Sequence, residues 1–313
     1  MTMAHTAFRL GHIALIGYGE VGRILAEDFR AQGLTVDAHD IKLARPDSRD
    51  DLLAHGEAHG VRLHERAAEA VAHADLVISA VTASQAVVVA QACAAHLPPG
   101  GFFLDLNSAS PGTKVQAADA VDAAGGRYVE GAVMTSVPPY RSRVPLLLGG
   151  AHAADLLEPL QAIGFAPRVA SERLGVASAT KMCRSVMIKG LEAMVIESFT
   201  AARHHGVEDA VVASLLETFP GVDWERQAAY FFQRVIEHGR RRAEEVREVA
   251  RTVAEAGLAP WSASGTAERQ AWVADLADSG VFGRRGEPDF ARSDDWRVEA
   301  DRILGQVAKE GTR

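Results

Sequence analysis

The stretch Ile13-Ala14-Leu15-Ile16-Gly17-Tyr18-Gly19-Glu20-Val21-Gly22 constrains this chain more than any other. An apolar run of strand length ends in G-x-G-x-x-G. Val21, Ile24, Leu25, Asp28 and Phe29 then fall at helical spacing, with Asp28 the one polar residue on the stripe. Strand, tight turn and helix in this order suit the pyrophosphate of a dinucleotide. Gly17 permits the turn, Gly19 lets the backbone approach the phosphates, and Gly22 lets the helix pack against the strand. Free amides at the helix start then face the phosphates. A merely Gly-rich turn carries the same letters, so the motif gains its meaning from the strand before it and the helix after it. Gly17, Tyr18, Gly19, Glu20, Val21 and Gly22 are the expected cofactor-binding residues.

Leu34–His39 reads as a second strand ending at Asp40. That acid stands near the ~20-residue spacing at which a carboxylate takes the adenosine ribose hydroxyls. Lys42 and Arg45 follow it and could instead hold a 2′-phosphate. The Asp40 carboxylate would repel that phosphate, so NAD is the expected cofactor and NADP the alternative.

Further along, Val61–Leu63 reads as a short strand and Glu65–Ala72 as a helix. Asp75–Val81 reads as a buried strand with Thr82 and Ser84 at its carboxyl end. Open α/β sheets bind ligands outside such ends, which adds Val81 and Thr82 to the cofactor set. Gln85–His96 is a helix stopped by Leu97-Pro98-Pro99-Gly100-Gly101, and Phe102–Leu106 is the next strand. It runs into Asn107-Ser108-Ala109-Ser110-Pro111, dense in hydrogen-bonding groups where a nicotinamide or substrate should sit. Asn107 is assigned to cofactor and Ser108 to substrate, although Ser110 before Pro111 also suits the start of a helix over Gly112–Ala124. Arg127–Glu130, Val144–Leu148 and Phe165–Val169 read as further strands, with a helix at His152–Ile163.

After about Ala170 strands vanish and long helical patterns take over. The expected architecture is therefore α/β: a doubly wound Rossmann-type sheet domain over residues 1–169, then an all-α domain over residues 170–313. The 313 residues suffice for two cores. A net charge of −8 argues against general nucleic-acid or anionic-membrane binding. Cys93 and Cys183 form no C-x-x-C pair, which suits a reducing cytoplasm, and no stretch approaches a transmembrane span. His55 and His59 stand four apart with His64 nearby, but Gly56 weakens a helix there and no carboxylate or cysteine completes a set, so no metal is expected.

Gly175–His205 is the longest helical pattern. At 100° per residue, Met182, Cys183, Val186, Met187, Gly190, Leu191, Met194 and Val195 gather on one side, and Lys181, Arg184, Ser185, Ile188 and Glu192 on the other. A polar side turned to solvent would fit composition alone. Ile188 within that side, and a position directly after the sheet domain where an interdomain cleft would form, favour chemistry instead. Arg184 and Lys189 are expected to lower the proton affinity of Lys181 by like-charge repulsion, which suits proton transfer. Glu208–Thr218 and Trp224–Ala256 are further helices, the second with Gly239 as a point where it could bend; His238, Arg241, Arg242 and Glu245 share a region of it. A solvated charge run would look the same.

The glycine loop Gly17–Gly22, the strand-end loop Asn107–Pro111 and Gly175-Val176-Ala177-Ser178-Ala179-Thr180-Lys181, in this order and spacing, resemble the β-hydroxyacid dehydrogenase family of 3-hydroxyisobutyrate, tartronate semialdehyde and 6-phosphogluconate dehydrogenases. The resemblance spans nearly the whole chain in organisation and implies that Lys181 is the catalytic acid/base. It departs from the family in two places. Ser185 stands where an asparagine is usual, and Met134-Thr135-Ser136 stands in place of a Ser-Gly-Gly substrate loop. The likeness is nearest to an uncharacterised branch with Lys-Met-x-Arg-Ser in this helix and His-x-x-Arg-Arg near the C-terminus.

The resulting expectation is an NAD(P)-dependent oxidoreductase of a small hydroxyacid or related alcohol. Lys181 and Ser185 are its catalytic residues, and Ser108, Thr135, Ser136, His238, Arg241 and Arg242 its substrate contacts. A non-catalytic dinucleotide-binding sensor and an imine reductase-like enzyme are the alternatives; Lys181 counts against both. Its partners are a small molecule and a second copy of itself, since the apolar stripe Met182–Val195 exceeds what a small domain would bury and related enzymes associate through their helical domains.

Overall fold

The computed structural model describes residues 9–288, 290–291 and 293–310. The elements run β1 (His12–Ile16), α1 (Glu20–Ala31), β2 (Thr35–His39), α2 (Pro46–His59), β3 (Arg62–Leu63), α3 (Ala67–Val71), β4 (Leu76–Ser79), α4 (Ala86–Ala94), β5 (Phe102–Asp105), α5 (Pro111–Ala123), β6 (Arg127–Val133), β7 (Pro145–Gly149), α6 (Ala153–Ala162), β8 (Ala166–Ser171), α7 (Val176–His205), α8 (Glu208–Thr218), α9 (Trp224–Glu255), α10 (Trp261–Asp278) and α11 (Trp296–Glu310).

One eight-stranded sheet has the order β3-β2-β1-β4-β5-β6-β7-β8. Every neighbouring pair is parallel except β6 with β7. The central strands β4 and β5 are buried along their whole length, as expected of strands covered by helices on both faces. Leu25, Phe29, Ile78 and Leu104 lie in the core cluster on one face, and Val77, Phe103 and Val121 in the cluster on the other. Chain order reverses between β1 and β4, so their carboxyl ends form the switch point at which such sheets bind ligands.

Two differences from the sequence reading bear on function. A helix, α2, does form across Gly56, because Gly56 serves a close approach: a Cβ there would lie 3.0 Å from Leu63 Cδ1 and 3.2 Å from the Val61 carbonyl. The chain also divides into two compact units after Met182 rather than near Ala170. The first turns of α7 belong with the sheet because Glu130 of β6 accepts from their amides and Ala177 packs with Ala132 and Leu147.

The second unit begins at Cys183, and its regular elements among the described residues are all helices, packed around Phe199, Phe232, Val273, Phe282 and Trp296. α9 runs unbroken through Gly239. A Cβ at this position would lie 2.8 Å from the Gln270 carbonyl, so glycine lets α9 and α10 pack closely. Glu225 of α9 accepts from the Trp296 indole at 2.8 Å and from both terminal nitrogens of Arg297 at 2.9 Å, tying α11 to α9. Among the described residues no helix is long and apolar enough to cross a membrane.

Candidate active site

The glycine loop takes the shape its sequence requires. Gly17 has φ +98°, and a Cβ on it would lie 2.3 Å from the Ala80 carbonyl. A Cβ on Gly22 would lie 2.1 Å from the Gly17 carbonyl. One on Gly19 would meet nothing within 4 Å, and Gly19 caps α1 without any side-chain hydrogen bond. The loop therefore leaves backbone and first-turn amides open toward an anion, which fits a dinucleotide pyrophosphate.

Tyr18 is engaged within the protein through both its side chain and its amide. Its ring is fully buried, its hydroxyl meets His55 Nδ1 at 2.8 Å, and burial pushes the phenol up to about 12. Its N–H donates to Asp40 Oδ2 at 2.8 Å, while Lys42 N–H donates to Asp40 Oδ1 at 2.9 Å. Asp40 thus braces the glycine loop and caps the turn after β2. Lys42 and Arg45 are both exposed.

At the ends of β4 and β5, Asn107 is buried. Its Oδ1 accepts from Val81 N–H at 2.7 Å, and its Nδ2 donates to Ser79 Oγ at 2.9 Å. Asn107 and Val81 therefore lock two strand ends together, and the exposed residue beside them is Thr82. Below lies a network that sequence reasoning missed. Asp105 is buried and takes the Lys114 ammonium at 2.9 Å, the Tyr128 hydroxyl at 2.8 Å and the Asn107 N–H at 2.8 Å. Burial, with the nearby Asp105 charge, raises the Tyr128 phenol well above its ordinary value. Ser110 caps α5 as its position before Pro111 foretold.

Lys181 Nζ donates to Ser108 Oγ at 2.6 Å, joining the lysine of α7 to the loop after β5. The start of α7 is fixed by Glu130, fully buried, whose Oε1 accepts from Gly175 N–H at 2.8 Å and Ala177 N–H at 3.0 Å and whose Oε2 accepts from Ser178 N–H at 3.3 Å. A carboxylate on a helix N-terminus stabilises both the free amides and the helix dipole. Gly149 leaves room for it, since a Cβ there would lie 2.2 Å from Glu130 Oε1. The one acid in the otherwise apolar run Tyr128–Val133 was the available signal. Thr135 and Ser136 are exposed beyond β6 in a loop held to α1 by Arg141, which bonds Glu27 and Asp28.

In the helical unit burial along α7 does not follow polarity: Val195 of the apolar side is buried but so are several polar residues, and Arg184 and Ile188 of the polar side are exposed. Ser185, Lys189 and Glu192 are buried, whereas Met187 and Met194 are 65% and 61% exposed. Lys189 is ion-paired with Glu245 rather than standing as a bare like charge; burial lowers its proton affinity against the pull of that carboxylate. Arg242 is buried against Glu192, which also accepts from Gln270 at 3.3 Å, so its charge is met inside the unit. Arg241 keeps an exposed guanidinium shared with Glu245 at 3.2 Å. His238 is half-buried, and burial lowers its proton affinity.

Residues 12–161 match the NAD binding domain of 6-phosphogluconate dehydrogenase, and residues 202–273 match a domain of unknown function, DUF1932. A solved structure of a conserved hypothetical protein from Sinorhizobium meliloti 1021 is 36% identical, covers 95% of this chain and 98% of its own, and has a TM-score of 0.72. A conserved protein of unknown function, described as structurally similar to 3-hydroxyacid dehydrogenases, is 28% identical over 85% of this chain and 99% of its own, with a TM-score of 0.64. The Mycobacterium tuberculosis 3-hydroxyisobutyrate dehydrogenase shares the fold, with a TM-score of 0.65 at 18% identity, over 94% of this chain and 99% of its own.

Proposed function

We propose that this chain, with its match to the NAD binding domain of 6-phosphogluconate dehydrogenase and its likeness to a protein similar in structure to 3-hydroxyacid dehydrogenases, is a β-hydroxyacid dehydrogenase that interconverts a small hydroxyacid, or a related alcohol, and its carbonyl product. The observation that carries this reading is the 2.6 Å hydrogen bond from Lys181 Nζ to Ser108 Oγ at the carboxyl end of β5. A proton-transfer amine and a hydroxyl meet there, on the edge of the sheet where the fold binds its ligands.

A nicotinamide dinucleotide, when bound, supplies or accepts the hydride. The chain's own residues do the rest. The amides after Gly19 hold the pyrophosphate and Asp40 takes the ribose hydroxyls, which favours NAD over NADP. In the oxidation direction Lys181 Nζ, as the neutral amine, takes the substrate hydroxyl proton; in reduction the ammonium returns it. Ser108, Thr135 and Ser136 offer hydroxyls to the polar groups of the substrate.

The test is the nicotinamide absorbance change with a panel of hydroxyacids, run with NAD and with NADP. Turnover of at least one compound is expected. Lys181→Met should lower it by about two to four orders of magnitude while cofactor affinity stays within a few-fold. Undiminished turnover would remove Lys181 from the mechanism. Tight dinucleotide binding without turnover on any substrate would point to the sensor.

A further inference from the structure

The histidines of α2 have a partner that the linear sequence conceals. His55 and His59 are one helical turn apart, and their rings stack with centroids 4.4 Å apart. α1 lies alongside and brings Glu27, whose Oε1 is 3.2 Å from His55 Nε2. One donor atom from each of Glu27, His55 and His59 lies within 4.8 Å of the other two. We propose that these three side chains bind a divalent first-row transition ion of the zinc class.

The donor chemistry selects the ion. Two imidazoles and one carboxylate suit zinc, nickel or copper, whereas magnesium and calcium call for oxygen donors. An ion about 2.1 Å from each donor needs neighbouring donors roughly 3.4 Å apart. The Glu27–His55 pair already meets that, and His59, which is exposed, can turn to close the third side. Water fills the remaining coordination.

The outer partners are those of a metal site as well. A ligating histidine normally has its second nitrogen held by an oxygen, and a ligating carboxylate its second oxygen held by a donor. His55 Nδ1 meets the Tyr18 hydroxyl at 2.8 Å, and Glu27 Oε2 accepts from Arg141 at 2.8 Å. The cations on this face are themselves matched: Arg23 pairs with Asp51, and Arg141 also pairs with Asp28 at 2.7 Å. Occupancy would clamp α1 to α2 directly beneath Tyr18, the residue between the first two glycines of the cofactor loop. This site stands independently of the oxidoreductase reading.

The experiment is calorimetric titration of the chelator-stripped full-length protein with zinc chloride, with magnesium chloride as control. One equivalent of zinc per chain is expected, with a Kd on the order of micromolar, a raised unfolding midpoint and no saturable magnesium binding. His59→Ala removes an exposed donor without touching the Tyr18 contact. It should weaken zinc by at least tenfold and leave the metal-free unfolding midpoint in place. Glu27→Gln should weaken zinc likewise. Absence of stoichiometric zinc binding, or equal affinity in His59→Ala, would overturn the site and leave Tyr18, His55 and Glu27 as a hydrogen-bonded brace.

Discussion

Asp40 has two duties, and they bear on one another. It holds the Tyr18 and Lys42 amides, and in the proposed function it takes the ribose. Asp40→Ala removes a charged acceptor, an interaction worth roughly 1.5–3 kcal/mol. NAD affinity should therefore fall by about tenfold or more and the gap to NADP should narrow, as followed by protein fluorescence on titration. Tighter NADP binding in the unmodified protein would show that Lys42 or Arg45 dominates. On the substrate side of the proposed function, the resemblance sets Thr135 and Ser136, with side chains and hydroxyls, in place of bare glycine, and Ser185 in place of a longer asparagine. We expect 3-hydroxyisobutyrate to be a poor substrate beside a bulkier or more polar hydroxyacid. A steady-state comparison of 3-hydroxyisobutyrate, glycerate, threonate and 6-phosphogluconate checks this, and a highest kcat/KM for 3-hydroxyisobutyrate would sink it. The places of Gly17 and Gly22 in the loop were legible because sterics alone demand glycine there. The bracing by Asn107 was not, since the groups that take up its amide, Ser79 at the end of β4 and Val81 just beyond it, lie far away in sequence.

Among the elements, the start of α7 depends on one side chain. Glu130→Gln keeps the volume but turns an NH2 toward at least one backbone amide that now has a carboxylate oxygen. Loss of about 2–3 kcal/mol is expected, together with lower turnover, because Lys181 lies one turn beyond Ser178. Urea unfolding measures the first; an unchanged midpoint would mean the amides find other acceptors. The clasp between α9 and α11 gives a pH signature. The hydrogen bonds from Arg297 hold the Glu225 carboxyl below its ordinary value, against the opposing effect of partial burial. A depressed carboxyl contributes stability above its unfolded pKa of about 4.3 and loses it as pH falls through the lower folded value. The pair is partly exposed, so Glu225→Gln should cost no more than about 1 kcal/mol near neutrality and close to nothing well below pH 4. Unfolding midpoints at the two pH values decide. Most of these elements could be placed from periodicity and turn residues. α2 could not, because Gly56 reads as a helix breaker until Leu63 and Val61 are seen against it.

For the whole molecule, the exposure of α7 bears on assembly. Met187 and Met194 lie two turns apart and open to solvent in the single chain, and Trp261 at the start of α10 is 83% exposed. Large apolar side chains left outside a well-filled core mark association surfaces, so a homodimer is the expected state. Light scattering at micromolar concentration tests this, and a monomer would count against it. Helical periodicity sorted α7 into two sides but could not say which residues of each are covered, since the groups that meet Lys189 and Glu192 come from helices 50 residues and more downstream. The place where the chain divides has an evolutionary corollary. Lys181 falls on the sheet side of the division, anchored there by Glu130 and Ser108. Gene fusion or recombination at the Met182–Cys183 boundary would thus exchange the entire helical unit while leaving the lysine with its dinucleotide loop. A lineage would in this way keep the proposed proton-transfer lysine and acquire a new C-terminal half in a single genetic event.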